Sequence, residues 1–77
     1  MNMNTIQIES RIKERFVDGD AVVFDLTGAG NHFEVRVASS EFNGMTRIQQ
    51  HQAVMGLFKA ELDSGEIHAL GIKTITK

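Results

Sequence analysis

The sequence predicts an α+β fold in the order α-β-β-α-α-β, a three-stranded mixed sheet with helices packed on one face. Three observations predict it. Apolar residues recur at helical spacing near the start of the chain and again after Thr46. Between those stretches, two runs alternate apolar and polar residues around a glycine-rich turn, the pattern of a β-hairpin. A last strand-like run, reached through a helix, can lie parallel to its predecessor by a right-handed crossover. The 77 residues show no linker, repeat or low-complexity stretch, so residues 1–77 read as one domain.

Each element has its own signals. Asn4 or Thr5 caps a first helix running to about Val17, with Ile8, Ile12 and Phe16 as its buried stripe. Glu9 and Lys13 form an i,i+4 pair on its outside. Asp18-Gly19-Asp20 stops it. The strand from about Ala21 to Thr27 sends Val22, Phe24 and Leu26 one way and Val23, Asp25 and Thr27 the other. Gly28-Ala29-Gly30-Asn31 is a turn. The strand His32 to Ala38 turns Phe33, Val35 and Val37 to the core and His32, Glu34 and Arg36 to solvent. A symmetric hairpin register sets Asp25 opposite Glu34, with Arg36 diagonal to Asp25. Ser39 and Ser40 read as caps of a short helical turn that Asn43-Gly44 ends. Thr46 and Gln49 make a capping box for the main helix, which runs to about Asp63. Its apolar stripe is Ile48, His51, Met55, Phe58 and Leu62, widened by Val54. Gly65 takes the left-handed cap position, and a last strand covers Ile67 to about Ile75.

Composition narrows the function classes. Hydrophobic residues at 42% and charged residues at 23% mark a globular chain. A net charge of −2 argues against holding nucleic acid by bulk positive charge. With no cysteine, disulfides and Cys-type zinc sites are excluded. No apolar run approaches a membrane span, and the first residues lack a signal-peptide layout; the expectation is a soluble cytoplasmic protein. Gly28-Ala29-Gly30 joins two strands, so it is not a phosphate loop. No acid, base and nucleophile set is present, and a chain this short has no room for a deep cleft. An enzyme with a small-molecule substrate is not expected.

The topology points to one place. Parallel neighbouring strands start at the same sheet edge. His32 begins the second strand, His68 begins the third, and the turn from Gly28 to Asn31 lies there too. Neutral imidazole is the commonest metal ligand. The plain alternatives are a hydrogen-bonded strand-end histidine for His68 and polar surface for His32. His51 reads as a packed histidine on the helix stripe. Asp25, His32 and Glu34 on the outer hairpin face match a divalent-ion site, and equally a solvated face. The element order also matches the second type of KH-like module, whose RNA binders carry a G-x-x-G loop. Here Asn43-Gly44-Met45-Thr46 lacks one glycine, and the main helix balances Arg47 and Lys59 against Glu61 and Asp63.

Several segments resemble the motifs of one known protein family. Gly30-Asn31-His32-Phe33-Glu34-Val35-Arg36-Val37 looks like the family's second-strand motif. Phe42-Asn43-Gly44-Met45-Thr46-Arg47 resembles its F-x-G-[KM]-[ST] element, and Gln50-His51-Gln52-Ala53-Val54 its R-H-R-x-V stretch. Glu61-Leu62 and Ile67-His68-Ala69-Leu70-Gly71-Ile72-Lys73-Thr74 resemble the closing signature. Together these segments resemble the BolA family, most closely its YrbA/IbaG-type branch, over about residues 20–77. The resemblance implies an adaptor that pairs with a monothiol glutaredoxin and helps ligate a shared [2Fe–2S] cluster, which the isolated chain does not hold tightly. The other ligands would be the glutaredoxin cysteine and a glutathione thiol. His68 matches the family's histidine ligand. The second ligand is usually a Cys or His in the loop between the first two strands; Ala29 stands at the cysteine position, and His32 is the nearest candidate. Imidazole in place of thiolate raises a cluster's reduction potential, and its hold weakens as pH falls. The family has also been linked to transcription, so the alternative is a nucleic-acid-binding regulator, with possible DNA contacts at Arg47 and Lys59.

Overall fold

The computed structural model describes residues 3–77. The elements are α1 (Thr5–Arg15), β1 (Asp20–Asp25), β2 (His32–Ser39), a 3-10 turn (Ser40–Phe42), α2 (Arg47–Met55), a second 3-10 turn (Gly56–Phe58), α3 (Lys59–Ser64) and β3 (Ala69–Thr76). The strand order is β1-β2-β3. β1 and β2 are antiparallel; β2 and β3 are parallel. This is the mixed sheet, with its helices on one face, that the residue pattern predicts.

Asn4 caps α1 in a reciprocal capping box: its Oδ1 accepts from the Gln7 N–H at 2.8 Å, and Gln7 Oε1 accepts from the Asn4 N–H at 3.0 Å. Ile8, Ile12 and Phe16 are fully buried, as their spacing requires. The chain turns just past Arg15 because Gly19 permits it. A Cβ at Gly19 would lie 2.9 Å from both Cβ and the carbonyl oxygen of Phe16, a separation that side chains do not tolerate. Val17 therefore lies outside the helix and in solvent. Glu9 and Lys13 pair at 3.3 Å as expected.

The core joins α1 to Phe33, Val35 and Val37 of β2, then to Phe42, Val54, Phe58 and Ile67. Phe16 and Phe42 meet at 5.2 Å between ring centres in a tilted pair. Arg11 crosses from α1 to α3 with a two-point ion pair to Glu61, at 2.8 and 3.2 Å. Its guanidinium also donates to the Leu57 carbonyl and sits 5.2 Å from the centre of the Phe58 ring. The hydrogen bonds from Arg11 hold the Glu61 carboxyl below its usual range.

Three expectations need correction. The hairpin register places Asp25 opposite Phe33 and Phe24 opposite Glu34, one residue away from the symmetric pairing. A one-residue change moves every side chain of a strand to the other face. Ala21 and Val23 therefore pack against the core, while Val22, Phe24 and Leu26 face out. Arg36 pairs with Glu34 at 3.1 Å rather than with Asp25. The main helix is also not continuous: a 3-10 turn at Gly56–Phe58 re-phases it. Ile48 and Met55 share an exposed face of α2, and Val54 and Phe58 carry the burial. Last, β3 begins at Ala69 rather than Ile67, because Ile67 is spent as a fully buried plug ahead of it.

Asp18 ties the α1–β1 turn to the end of β2. Its carboxylate accepts from the Ser39 hydroxyl at 2.9 Å, the Ser40 N–H at 3.0 Å and the Ser40 hydroxyl. The two hydrogen bonds from Ser40, then the one from Ser39, hold the carboxyl down from 3.8 to about 2. A depressed carboxyl stabilises the fold fully above its ordinary pKa. That contribution is lost as pH falls toward about 2. Urea unfolding followed by far-UV circular dichroism checks this. The native chain should lose stability through that acid window. Asp18→Asn should be less stable at neutral pH and show a flatter profile across the window.

Candidate functional site

The starts of β2 and β3 meet at one rim. His32 opens β2, and its carbonyl accepts from the Leu26 N–H at 2.9 Å. The Asn31 carbonyl accepts from the His68 N–H at 2.8 Å and from the Ala69 N–H at 3.3 Å. That shared acceptor brings the two histidines together. Their ring centres are 5.9 Å apart and edge-on, at 62° between planes. His68 is exposed and His32 half-buried. Parallel pairing of His32 with Ala69 is the reason residues so distant in sequence share this rim.

The loop before β2 is built to hold that position. The two Asp25 carboxylate oxygens accept from the Gly28 N–H at 3.0 Å and the Gly30 N–H at 3.1 Å. Both glycines are left-handed, with φ of 75° and 74°, which a side chain would strain. The Thr27 hydroxyl accepts from the Ala29 N–H and donates to Asn31 Oδ1 at 3.0 Å. The register change explains Asp25: turned off the outer face, it serves the loop. Of the two readings of Asp25, His32 and Glu34, the divalent-ion site is therefore not formed among the described residues. Glu34 is committed to Arg36, and no group of three or more His, Asp or Glu among the described residues is placed to hold an ion. Sequence reasoning missed the structural roles of Asp25 and Asn31. The available signal was an aspartate three and five residues ahead of two glycines.

Asp25→Ala should leave the core intact but free the loop. The expected outcome is faster amide hydrogen exchange at Gly28 and Gly30, by at least about tenfold for loss of a charge-assisted hydrogen bond. Exchange at Val35 and Val37 should stay unchanged.

The pair can do one chemical thing well. Two imidazoles on one tetrahedral ion have ring centres roughly 5 Å apart, given metal–nitrogen bonds of about 2.0–2.1 Å. The observed 5.9 Å fits two such ligands after small side-chain rotation. Two ligands do not complete a coordination shell, so the remaining positions would come from another molecule.

The other sequence-selected residues lie elsewhere. His51 is half-buried on α2. Arg47 begins α2 and Lys59 begins α3. Lys59 pairs with Asp63 at 2.8 Å, and that hydrogen bond raises its pKa. No helix among the described residues is long and apolar enough to cross a membrane.

Comparison with known proteins agrees with the fold. The family described as BolA-like protein matches residues 1–77. An uncharacterised Sinorhizobium protein is 48% identical over 50 residues, covering 65% of this chain and 52% of that protein. The acid stress protein IbaG of Escherichia coli is 35% identical over 51 residues, covering 66% of this chain and 61% of IbaG. The match thus spans about half the length of the first and about three fifths of the second. Among solved structures, BolA1 from Arabidopsis thaliana superposes with a TM-score of 0.84 at 26% identity, covering 99% of this chain and 94% of that one.

Proposed function

The chain belongs to the BolA-like family, and from that membership we propose that it is an adaptor: it pairs with a monothiol glutaredoxin and helps ligate a [2Fe–2S] cluster shared between them, in iron–sulfur trafficking or stress regulation. The observation that carries this reading is the His32–His68 pair, 5.9 Å apart at an open rim. IbaG, a relative, is named for acid stress.

Each residue at the rim has a part. His68 presents an exposed imidazole from a backbone fixed by the Asn31 carbonyl. His32 offers a second imidazole from the first residue of the central strand. Asp25 holds the loop so that Asn31 stays in place. When bound, the cluster supplies iron whose potential is raised by imidazole ligation. A cysteine-free chain can complete such a centre on a partner's surface without owning an ordinary four-thiolate site.

The test is to add the apo chain to cluster-loaded monothiol glutaredoxin with glutathione and record visible circular dichroism. New bands that saturate with added chain are the expected result. A spectrum equal to the sum of the separate components would contradict the proposal.

A further inference from the structure

The outer sheet face carries an exposed apolar strip, in which the Arg36 guanidinium sits 5.0 Å from the centre of the Phe24 ring. Val22, Phe24 and Leu26 are 51%, 41% and 63% exposed. Strand pairing sets that face out in rows. Leu26, His32 and Ala69 form the row at the rim; Phe24, Glu34 and Gly71 form the next. The apolar side chains therefore line the β1 side of the histidines, and the two small residues line the β3 side. A Cβ at Gly71 would meet nothing nearer than 3.8 Å, so that side is low and open. Scattered exposed apolar residues are ordinary, but a contiguous strip leading to a ligand-bearing rim marks a contact surface.

Area decides what covers it. Burying three such side chains removes on the order of 300 Å² from this chain, whereas a lasting two-protein interface needs roughly 1,200 Å² in total. Two copies meeting strip to strip fall well short. A partner also anchored through His32 and His68 needs far less area. We infer that the Val22–Phe24–Leu26 strip is the docking face for the cluster-carrying partner, which seats apolar side chains beside its thiolate-held iron while the histidines engage the iron. This rests on the ligation reading above.

The experiment is a titration of the native chain and of the Phe24→Ser/Leu26→Ser variant with cluster-loaded monothiol glutaredoxin, read by visible circular dichroism. Both side chains are exposed, so the variant should keep the native far-UV spectrum. It should reach the same final visible spectrum and need at least about tenfold more partner, the loss expected for contact anchors. Equal midpoints would overturn the inference. Should the variant not fold, amide shifts of the native chain decide: movement at Val22 and Phe24 on adding glutaredoxin supports docking there, and shifts confined to the rim overturn it. If the native chain produces no visible change at all, ligation fails, and the same amide shifts still judge the docking face. A dimer of the native chain in sedimentation, abolished in the variant, would assign the strip to a second copy and overturn the inference.

Discussion

His68→Ala is expected to abolish the visible change on mixing with cluster-loaded glutaredoxin while leaving the fold intact. The side chain is exposed, so its removal opens no cavity. The residue's N–H still donates to the Asn31 carbonyl after substitution, so the start of β3 keeps its position. What disappears is the ligating nitrogen. Loss of a group that merely supports a ligand costs about 10–100-fold in affinity, so loss of the ligand should cost about 100-fold or more. His32→Ala should cost less, on the order of tenfold, because the exposed His68 remains to anchor the iron. Thermal melts of both variants within a few degrees of native would assign the loss to ligation.

Phe33→Ala should be the most damaging single change to stability. Phe33 is 1% exposed in the central strand, paired with Asp25 on one side and Leu70 on the other. Removing a buried phenylalanine costs about 3–5 kcal/mol, against a total of about 4–12 kcal/mol for a chain of this length. The expected fall in Tm is about 15–30 °C. The chain has no Trp or Tyr, so far-UV circular dichroism is the suitable probe. A change within about 1 kcal/mol would mean that the core does not centre on β2. Val17→Ala, at a fully solvated position, is the matched control and should be nearly silent.

Much of this architecture was legible in the residues. Asn4 or Thr5 announced a helix cap, Thr46 a capping box, Gly65 a left-handed cap, found with φ of 84°, and the helical crossover a parallel β3. Parallel pairing then put His32 beside His68, the main geometric expectation about the site. The β1 face was not legible, for a definite reason. Ala21 and Val23 compete with Val22, Phe24 and Leu26, so both faces of that strand look apolar. In the observed register Ala21 and Val23 take the core side, and the Asp25 carboxylate, turned off the outer face, accepts from the Gly28 and Gly30 N–H groups. The observed register also removes the divalent-ion reading of Asp25, His32 and Glu34 and leaves the apolar strip exposed. The main helix hid its break similarly. Its apolar residues fit one stripe only if the turn stays at 3.6 residues, and Gly56–Phe58 tightens it. Gln50, outside the expected stripe, ties α2 to the Phe42 and Met45 carbonyls and accepts from the Thr74 hydroxyl at 2.5 Å.

Pulsed electron paramagnetic resonance on the reduced complex, with this chain alone labelled with nitrogen-15 histidine, asks most directly whether its imidazoles sit on iron. Strong nitrogen-15 coupling is predicted, lost in His68→Ala and reduced in His32→Ala. A signal without that coupling, the same as that of loaded glutaredoxin alone, would contradict it.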